Sequence, residues 1–451
     1  MTSPLGPAGD GLSNPRRSIA VAAVVAGIVM SVTSGVIANV ALPTIAATLG
    51  VSGATSIWIV NAYQLGIVVT LLPLAALGER SGFRPVFVGG LALFTAASAL
   101  CALAPDFAVL IAGRFLQGLG AGALMAVVAG VLRHAYPQRL LGLAIGVNAM
   151  FVSLAVAVAP TAGAALLTQA GWPSLFAVNL PIGMLALLAA PALPVVARQQ
   201  RRISPLSVAL NASALALLVL AIDRLGRAPL AAAAMLLAAV LCFAALIARE
   251  SSRPTPLVPL DLLLVPSFRL SVIASSCAFG SQIMGFVAIP FLLHDAGYGA
   301  LDIGYLLMPW PLTVALAALV VGRLADRYET ALLCALGGFC LAAGLVLTVL
   351  WRLAVPAGAN PVLLVGCLVL CGLGFGLFQT PNTRNMLLSA ARERSGAAGG
   401  MQAMARQFGQ SAGAAIVSLI FSAQATFAAS LVLVVAAGLA GTAALLSLLR
   451  R

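Results

Sequence analysis

Long apolar blocks separated by short polar connectors dominate this sequence. The first block, residues 19–43, carries no charged side chain over 25 positions. A helix needs roughly 20 apolar residues to cross the hydrocarbon core of a bilayer. The strands of a membrane barrel would instead alternate apolar and polar positions, and these blocks do not alternate. Because helices satisfy their own backbone hydrogen bonds in lipid, the pattern predicts an all-α polytopic membrane protein.

Fourteen blocks are long enough to be predicted as membrane spans. Their connectors are short and carry Pro, Gly or charge, so no separate soluble domain is expected. The predicted spans are residues 18–42, 54–77, 85–104, 107–131, 141–167, 173–196, 205–222, 230–248, 269–293, 301–321, 331–351, 362–381, 398–421 and 427–448.

The arginines indicate the orientation of these spans. The chain has 24 basic side chains, all of them arginine, and a net charge of +13. If the N-terminus is cytoplasmic, nineteen arginines fall in cytoplasmic segments and three in outer loops; Arg114 and Arg406 lie within spans. Cytoplasmic loops of membrane proteins carry such an excess of basic residues. The distribution therefore predicts an even number of spans, with cytoplasmic tails at residues 1–17 and 449–451.

An internal repeat divides the predicted spans. The loop GERSGFR at residues 78–84 follows the second span, and GRLADRY at residues 322–328 follows the tenth. The two loops occupy equivalent positions if spans seven and eight are an insert. The chain is then predicted to contain two six-helix halves, residues 18–196 and 261–448, with two additional helices in a linker at residues 197–260. Transporters are commonly built from such repeats, with the substrate site between them.

Composition excludes several other classes of protein. The chain is 62% hydrophobic and 8% charged, whereas soluble domains are about 25% charged. It contains no phosphate-binding loop motif and no His/Cys/carboxylate cluster that fits a metal site, and its seven cysteines fall in apolar blocks. We therefore predict no enzyme activity, no cofactor, no metal and no nucleic-acid partner. The expected partners are the lipid bilayer and a small-molecule substrate, and a monomer is expected.

Five short motifs carry a family resemblance. NVALP ends the first span at residues 39–43, and Trp58 and Tyr63 have W-x4-Y spacing in the second. The loops at residues 78–84 and 322–327 resemble one motif, with the second the closer copy. RFLQGLGAG at residues 114–122 and WPSLFAVNLPIG at residues 172–183 complete the set. In this order the chain resembles the fourteen-helix drug:proton antiporter family of the major facilitator superfamily, the multidrug efflux type.

The resemblance implies a major facilitator fold and a secondary active transporter. It implies export of small amphipathic or drug-like molecules by alternating access, with protons as the coupling ion, across a bacterial inner membrane. Two positions depart from the family pattern. Ser34 stands where the family has an Asp, and APTAG at residues 159–163 is a reduced form of its antiporter motif.

No acid falls at mid-span, since all eleven lie in tails, loops or helix ends. The departures leave two alternatives open. The first is a transporter of a neutral or anionic metabolite without proton coupling through a first-helix carboxylate. The second is a non-transporting membrane sensor or an inactive relative.

Arg114 is a candidate functional residue, for an anion or in a proton path, because an ionisable group inside the bilayer is costly. The family resemblance implies that its role is in coupling. An alternative is that Arg114 hydrogen-bonds the carbonyls of adjacent helices and holds the first half together. Polar and aromatic residues in the spans are candidates for the wall of a substrate cavity, although each could equally serve in packing. The predicted cavity residues are Asn39, Trp58, Gln64, Gln117, Asn148, Phe151, Gln282, Met284 and Gln379.

The two repeated loops are candidates for gating. In the resembling family the first loop packs near the start of the thirteenth span when the cytoplasmic side is closed. Glu79 would then lie near residues 395–398, where a helix N-terminus favours a carboxylate, and Arg80, Arg84 or Arg392 could add ion pairs. The predicted gating residues are Glu79, Arg80, Arg84, Asp326 and Arg327.

Overall fold

A computed structural model describes residues 11–196, 203–224, 228–251, 257–298, 300–324, 327–354, 361–422 and 427–450. Within these residues all regular secondary structure is helical. The α-helices are α1 Arg16–Thr48, α2 Gly53–Ser56, α3 Trp58–Ser81, α4 Phe83–Ala102, α5 Phe107–Ala135, α6 Leu141–Ala170, α7 Ser174–Ala177, α8 Asn179–Ala189, α9 Pro205–Arg224, α10 Pro229–Glu250, α11 Leu260–Leu263, α12 Pro266–Asp295, α13 Ala300–Leu307, α14 Pro309–Leu324, α15 Thr330–Ala354, α16 Val362–Leu388, α17 Ser395–Ser422 and α18 Ala428–Leu448.

Every predicted span coincides with helical backbone, so the all-α prediction is confirmed. Several helices extend beyond the apolar block that predicted them. Helix α16 continues to Leu388, past the predicted end at residue 381. The predicted sixth span is interrupted and forms α7, α8 and a short 3-10 turn at Ala190–Ala192. Apolar composition marks the part of a helix that lipid or core can accept, whereas the ends depend on local hydrogen bonding.

Twelve of the described helical segments are long and apolar enough to cross a membrane. Two of the predicted spans are not among them. In α9 the apolar stretch of described side chains is Pro205–Ala221, and the next two side chains lie outside the described residues. Helix α17 is long, but it carries Gly, Ser and Gln where other spans carry Leu and Val. The chain is therefore a multi-pass helical protein with twelve candidate spans, and the count of fourteen stays a prediction.

The chain forms two compact units that do not coincide with the two predicted halves. The first unit comprises Met1–Gln138, Val158–Asp261 and Ala390–Ala403, and the second comprises Arg139–Ala157, Leu262–Ser389 and Met404–Arg451. The division into two six-helix halves at residues 18–196 and 261–448 stays a prediction. The beginning of α6 belongs to the second unit, and the beginning of α17 belongs to the first.

In the first unit, the beginning of α1 lies beside the ends of α5 and α8. Arg16 Nε donates to the Ala192 carbonyl at 3.1 Å, and the Arg17 guanidinium lies 5.3 Å from the centre of the Tyr136 ring. The ring of Phe83, at the start of α4, lies 5.5 Å from that of His134. These contacts place the α3–α4 connection, the end of α5 and the start of α1 on one face, which we call the Arg16 face.

Small residues allow the helices of each unit to approach closely. A Cβ atom on Gly120 of α5 would lie 2.7 Å from the Phe94 amide nitrogen of α4, so only glycine fits there. In the second unit, a Cβ atom on Gly372 of α16 would lie 2.5 Å from the Trp310 carbonyl of α14. The glycine-rich strings of the sequence are therefore helix-packing surfaces.

Candidate functional site

Arg114 lies in the interior of the first unit and is fully buried. Its guanidinium donates in three directions. Nε donates to the Ile59 carbonyl of α3 at 2.8 Å, Nη1 donates to Gln117 Oε1 at 2.6 Å, and Nη2 donates to the Ser34 carbonyl of α1 at 3.3 Å. One side chain of α5 thus connects its own helix to α1 and α3.

Two aromatic rings cover the Arg114 guanidinium. Its central carbon lies 4.1 Å from the centre of the Tyr63 ring and 5.7 Å from that of Phe176. The Tyr63 hydroxyl donates to the Ser31 carbonyl at 2.5 Å, which fixes the ring. Ring faces attract a cation most strongly where water is absent. The rings therefore replace part of the hydration that Arg114 loses on burial.

A second layer of hydrogen bonds holds the ligands of Arg114. Gln117 Nε2 donates to Ser98 Oγ at 2.8 Å, and Asn179 Nδ2 donates to Ser34 Oγ at 3.1 Å. We call Ser34, Tyr63, Ser98, Arg114, Gln117 and Asn179 the Arg114 cluster. It connects α1, α3, α4, α5 and α8, all from the first predicted half.

The Arg114 cluster contains no carboxylate. Among the described residues, the hydrogen-bond acceptors of Arg114 are two backbone carbonyls and one amide oxygen. Ser34, at the position where the resembling family has an acid, supplies a backbone carbonyl and a hydroxyl instead. These contacts are the ones expected of a brace between helices.

The predicted cavity residues are distributed over both units. Trp58 and Gln64 belong to the first and are half-buried; Asn148, Gln282 and Gln379 belong to the second and are also half-buried. Asn148 Oδ1 is buried without a hydrogen-bond partner. Half-buried polar side chains are compatible with a cavity wall, and that role stays a prediction.

Three further cavity candidates have different surroundings, and one lies outside the description. Met284 is fully buried in the apolar core of the second unit, because α12 turns this position toward neighbouring helices. Gln117 is fully buried within the Arg114 cluster. In this structure neither lines an open wall. Phe151 is exposed over 36% of its surface. The side chain of Asn39 lies outside the described residues.

Glu79, at the end of α3, makes the contact expected from the sequence with the start of α17. Its Oε1 accepts a hydrogen bond from the Ala397 amide at 2.6 Å, and Glu79 is 2% exposed. Close approach is possible because position 396 is glycine: a Cβ atom there would lie 2.8 Å from Glu79 Cγ and 2.9 Å from the Phe83 ring. The free N–H groups of the first helical turn favour a carboxylate here.

The cation on Glu79 is Arg394, which the sequence did not single out. Arg394 Nη1 lies 3.0 Å from Glu79 Oε2. The same guanidinium donates to Asp261, from Nε to Oδ2 at 3.2 Å and from Nη2 to Oδ1 at 2.8 Å. We call Glu79, Asp261 and Arg394 the Arg394 cluster. All three residues belong to the first unit.

Arg80, Arg84 and Arg327, three other predicted gating residues, are not part of the Arg394 cluster. Arg80 is exposed, because the turn of α3 that buries Glu79 directs the next residue outward. Arg84 is half-buried and lines a surface hollow of about 390 Å³ together with Ser81 and Val196. Arg327 is exposed, and Asp326 lies outside the described residues.

Sequence reasoning missed Asp261 and Arg394 because their partners are remote. Arg394 lies 315 positions from Glu79 and 133 positions from Asp261. The sequence by its local pattern shows both only as charges in connectors between spans. Asn179 was visible inside the WPSLFAVNLPIG motif, but nothing in the sequence linked it to Ser34.

Comparison with known proteins identifies the family. Residues 21–414 match the profile of the Major Facilitator Superfamily. The chain belongs to the Major Facilitator Superfamily. It is therefore a membrane transporter, and proteins of this class are not enzymes. The finer assignment to a fourteen-helix drug:proton antiporter family is not established by this match.

Similar proteins include transporters whose names describe different substrates. The chain is 42% identical over 447 residues to the uncharacterized transporter YebQ of Escherichia coli K12, covering 98% of this chain and 97% of that one. It is 29% identical to the riboflavin transporter RibZ of Clostridioides difficile 630, covering 89% and 87% of the two chains. It is 30% identical to the multidrug resistance protein Stp of Mycobacterium tuberculosis H37Rv, covering 88% and 74%.

A solved structure supports the fold. The human organic anion transporter MFSD10 (TETRAN) superposes with a TM-score of 0.70 at 16% identity, covering 96% of this chain and 100% of that chain. At this level of identity the likeness concerns the fold alone. Together with the family match, it supports a helical transporter architecture for this superfamily member.

Proposed function

We propose that this superfamily member is a secondary active exporter of small amphipathic or drug-like molecules that works by alternating access. The observation that carries the proposal is the contact of Glu79 with Arg394 and with the Ala397 amide. It joins the loop after the second span to the start of the thirteenth, and so connects segments of the two predicted halves. A polar contact at a helix end can form and break during a transport cycle more readily than a packed core.

The proposal includes a topology of fourteen spans with both termini cytoplasmic, in the bacterial inner membrane, as a monomer. The Arg16 face is then cytoplasmic, and the Arg394 cluster holds the cytoplasmic side closed. Helices α9 and α10 are the two additional spans. A cysteine introduced at residue 225, between α9 and α10, should react with an impermeant maleimide from outside the cell. Reaction only from the cytoplasm would contradict the fourteen-span topology.

Transport in reconstituted vesicles tests the exporter assignment. Purified protein would be placed in proteoliposomes, and the movement of a lipophilic cation, an organic anion and riboflavin would be followed with and without an imposed pH gradient. Movement of the lipophilic cation that is accelerated by the gradient supports a drug:proton exporter. Absence of protein-dependent movement for the amphipathic probes would contradict the proposal.

A second candidate function is transport of a neutral or anionic metabolite without a proton-carrying carboxylate in the first helix. The fully buried cation Arg114 has no acid among its described partners, and a positive interior disfavours a cationic cargo. The name of RibZ describes riboflavin transport by that relative. In the same vesicles, preference for riboflavin or the organic anion, unaffected by the pH gradient, would favour this function.

A further inference from the structure

Asp261 brings a carboxylate from the linker onto the same guanidinium that binds Glu79. Arg394 uses Nε and Nη2 for Asp261, with Nη2 at 2.8 and 2.9 Å from the two carboxylate oxygens. It uses Nη1 for Glu79 at 3.0 Å. The side chains of Arg394 and Glu79 are 12% and 0% exposed, whereas that of Asp261 is 38% exposed. The linker acid therefore covers the outer side of the buried Glu79–Arg394 pair.

The paired hydrogen bonds to Asp261 orient Arg394. An arginine side chain has many rotamers, and a two-pronged bond to a carboxylate fixes both the position and the plane of its guanidinium. With that plane fixed, Nη1 points at Glu79. Without Asp261, the only described ion-pair partner of Arg394 would be Glu79, and the guanidinium could turn toward water.

The linker segment that carries Asp261 is itself held by α10. Glu250 Oε2, at the end of α10, accepts a hydrogen bond from the Leu257 amide, and Glu250 Oε1 accepts one from Ser207 Oγ of α9, both at 2.5 Å. Leu257 and Val258 are 5% and 4% exposed. Helix α9 packs against α10 and against α3, whose last turn carries Glu79. A chain of short contacts thus runs from the two linker helices to the Arg394 cluster.

We propose that Asp261 is a positioning residue for the closing contact of Glu79 and Arg394, and that Glu250 holds the linker in the position that lets Asp261 act. This inference rests on the proposed function, because it assigns a regulatory part to the same closing contact. The two linker helices α9 and α10 then have a regulatory role, because their placement sets the fraction of molecules in which the cytoplasmic side is closed.

Opening of the cytoplasmic side can be measured with spin labels at exposed positions 138 and 328 in full-length protein without its native cysteines. Both positions lie in predicted cytoplasmic loops. The variants are Glu79→Gln, Asp261→Asn, Arg394→Gln, Glu250→Ala and the double variant Asp261→Asn/Arg394→Gln. Asp302→Asn removes one exposed acid elsewhere and is the matched charge control. Size-exclusion profiles and thermal unfolding would show that each variant is folded.

Asp261→Asn should raise the open population by about three- to tenfold, because a partly buried pair contributes more than an exposed one. Glu250→Ala should shift the population in the same direction by a smaller factor. When Arg394 is already Gln, the further change Asp261→Asn should raise the open population only slightly, since Asp261 acts through Arg394. Asp261→Glu should restore the closed population, and Asp302→Asn should leave it unchanged.

The outcomes separate this inference from the proposed function. A shift with Glu79→Gln but none with Asp261→Asn overturns the inference and leaves the closing contact intact. No shift with either variant overturns the closing role of Glu79 as well. A shift with Asp261→Asn that persists in full when Arg394 is Gln also overturns the inference, because Asp261 would then act by another route. If Glu250→Ala leaves the open population unchanged, the proposed effect of the linker helices on Asp261 is overturned.

Discussion

The two arginine clusters of the first unit replace the hydration of a buried guanidinium with different groups. Arg114 is fully buried and surrounded by carbonyls, an amide and aromatic rings, and its partners come from one predicted half of the chain. Arg394 remains 12% exposed at its side chain and binds two carboxylates from remote segments. Neutral partners in a dry interior make a permanent brace, whereas a charge pair near water can be exchanged for hydration.

The two clusters differ in how much free energy is lost when the arginine leaves its partners. Releasing Arg114 would leave two carbonyls and an amide unpaired in an apolar interior, and each such group costs free energy. Releasing Arg394 would expose the three charges of the Arg394 cluster to water at the helix ends. Hydration there replaces the lost hydrogen bonds. We therefore propose a structural role for the Arg114 cluster and a switching role for the Arg394 cluster, and the coupling role of Arg114 stays a prediction.

The largest effect is expected from Arg114→Ala. Removing the guanidinium leaves the Gln117 amide oxygen and the Ser34 and Ile59 carbonyls without their donor, and it opens a space beside the Tyr63 and Phe176 rings. We expect a loss of about 3–5 kcal/mol in the free energy of unfolding, measured as reduced thermal stability in detergent. The control is Arg352→Gln, whose described hydrogen bond to the Asp295 carbonyl is long, at 3.5 Å. Equal losses in both variants would contradict the brace proposal.

Glu79→Gln is expected to act on conformation rather than on stability. The variant removes the charge that faces Arg394 and the N-terminus of α17, while its amide can still accept a hydrogen bond from Ala397. We expect an increase of about tenfold in the cytoplasm-open population, corresponding to about 1.4 kcal/mol, with slower export and normal expression. Labels at positions 138 and 328 report the population; an unchanged distance distribution would rule out this gating role.

Ser34→Asp tests whether the Arg114 cluster can be converted from a brace into a coupling site. The new carboxylate would lie beside Arg114 Nη2, which already contacts the Ser34 carbonyl at 3.3 Å. We expect the response of cation export to an imposed pH gradient to rise by about threefold, since about 0.7 kcal/mol of extra coupling has that effect. Ser34→Asn is the matched uncharged control. An equal response in the Asn variant would show that charge is not the cause.

The smallest effect is expected from Arg80→Gln. Arg80 neighbours Glu79 in sequence, but its side chain is exposed, and exposed charges contribute little to a local equilibrium. We expect less than a roughly twofold change in the cytoplasm-open population. A change as large as that of Glu79→Gln would mean that the sequence-based choice of Arg80 as a gating residue was correct and that Arg394 is not the main partner.

Much of the fold could be predicted because membrane helices carry a local signal. Uncharged apolar blocks identified helical backbone at every predicted span, and the GERSGFR loop directed attention to Glu79. The count of spans was harder to predict. Helix α17 is as long as the other spans but rich in small and polar residues, so composition alone does not decide whether a helix faces lipid or packs against protein.

The amino-acid sequence alone predicts a helical membrane protein and the positions of its helices. It also singles out Arg114 as a charge within a span and Glu79 as a charge near a helix N-terminus. Hydropathy and short motifs are properties of residues that are neighbours in the sequence, so they can be recognised without knowledge of the fold. The folded structure is needed to identify the partners, which are Ser34 and Gln117 for Arg114, and Arg394 for both Glu79 and Asp261. Those pairings join segments up to 315 positions apart, and the packing of the helices alone sets which side chains lie within hydrogen-bonding distance.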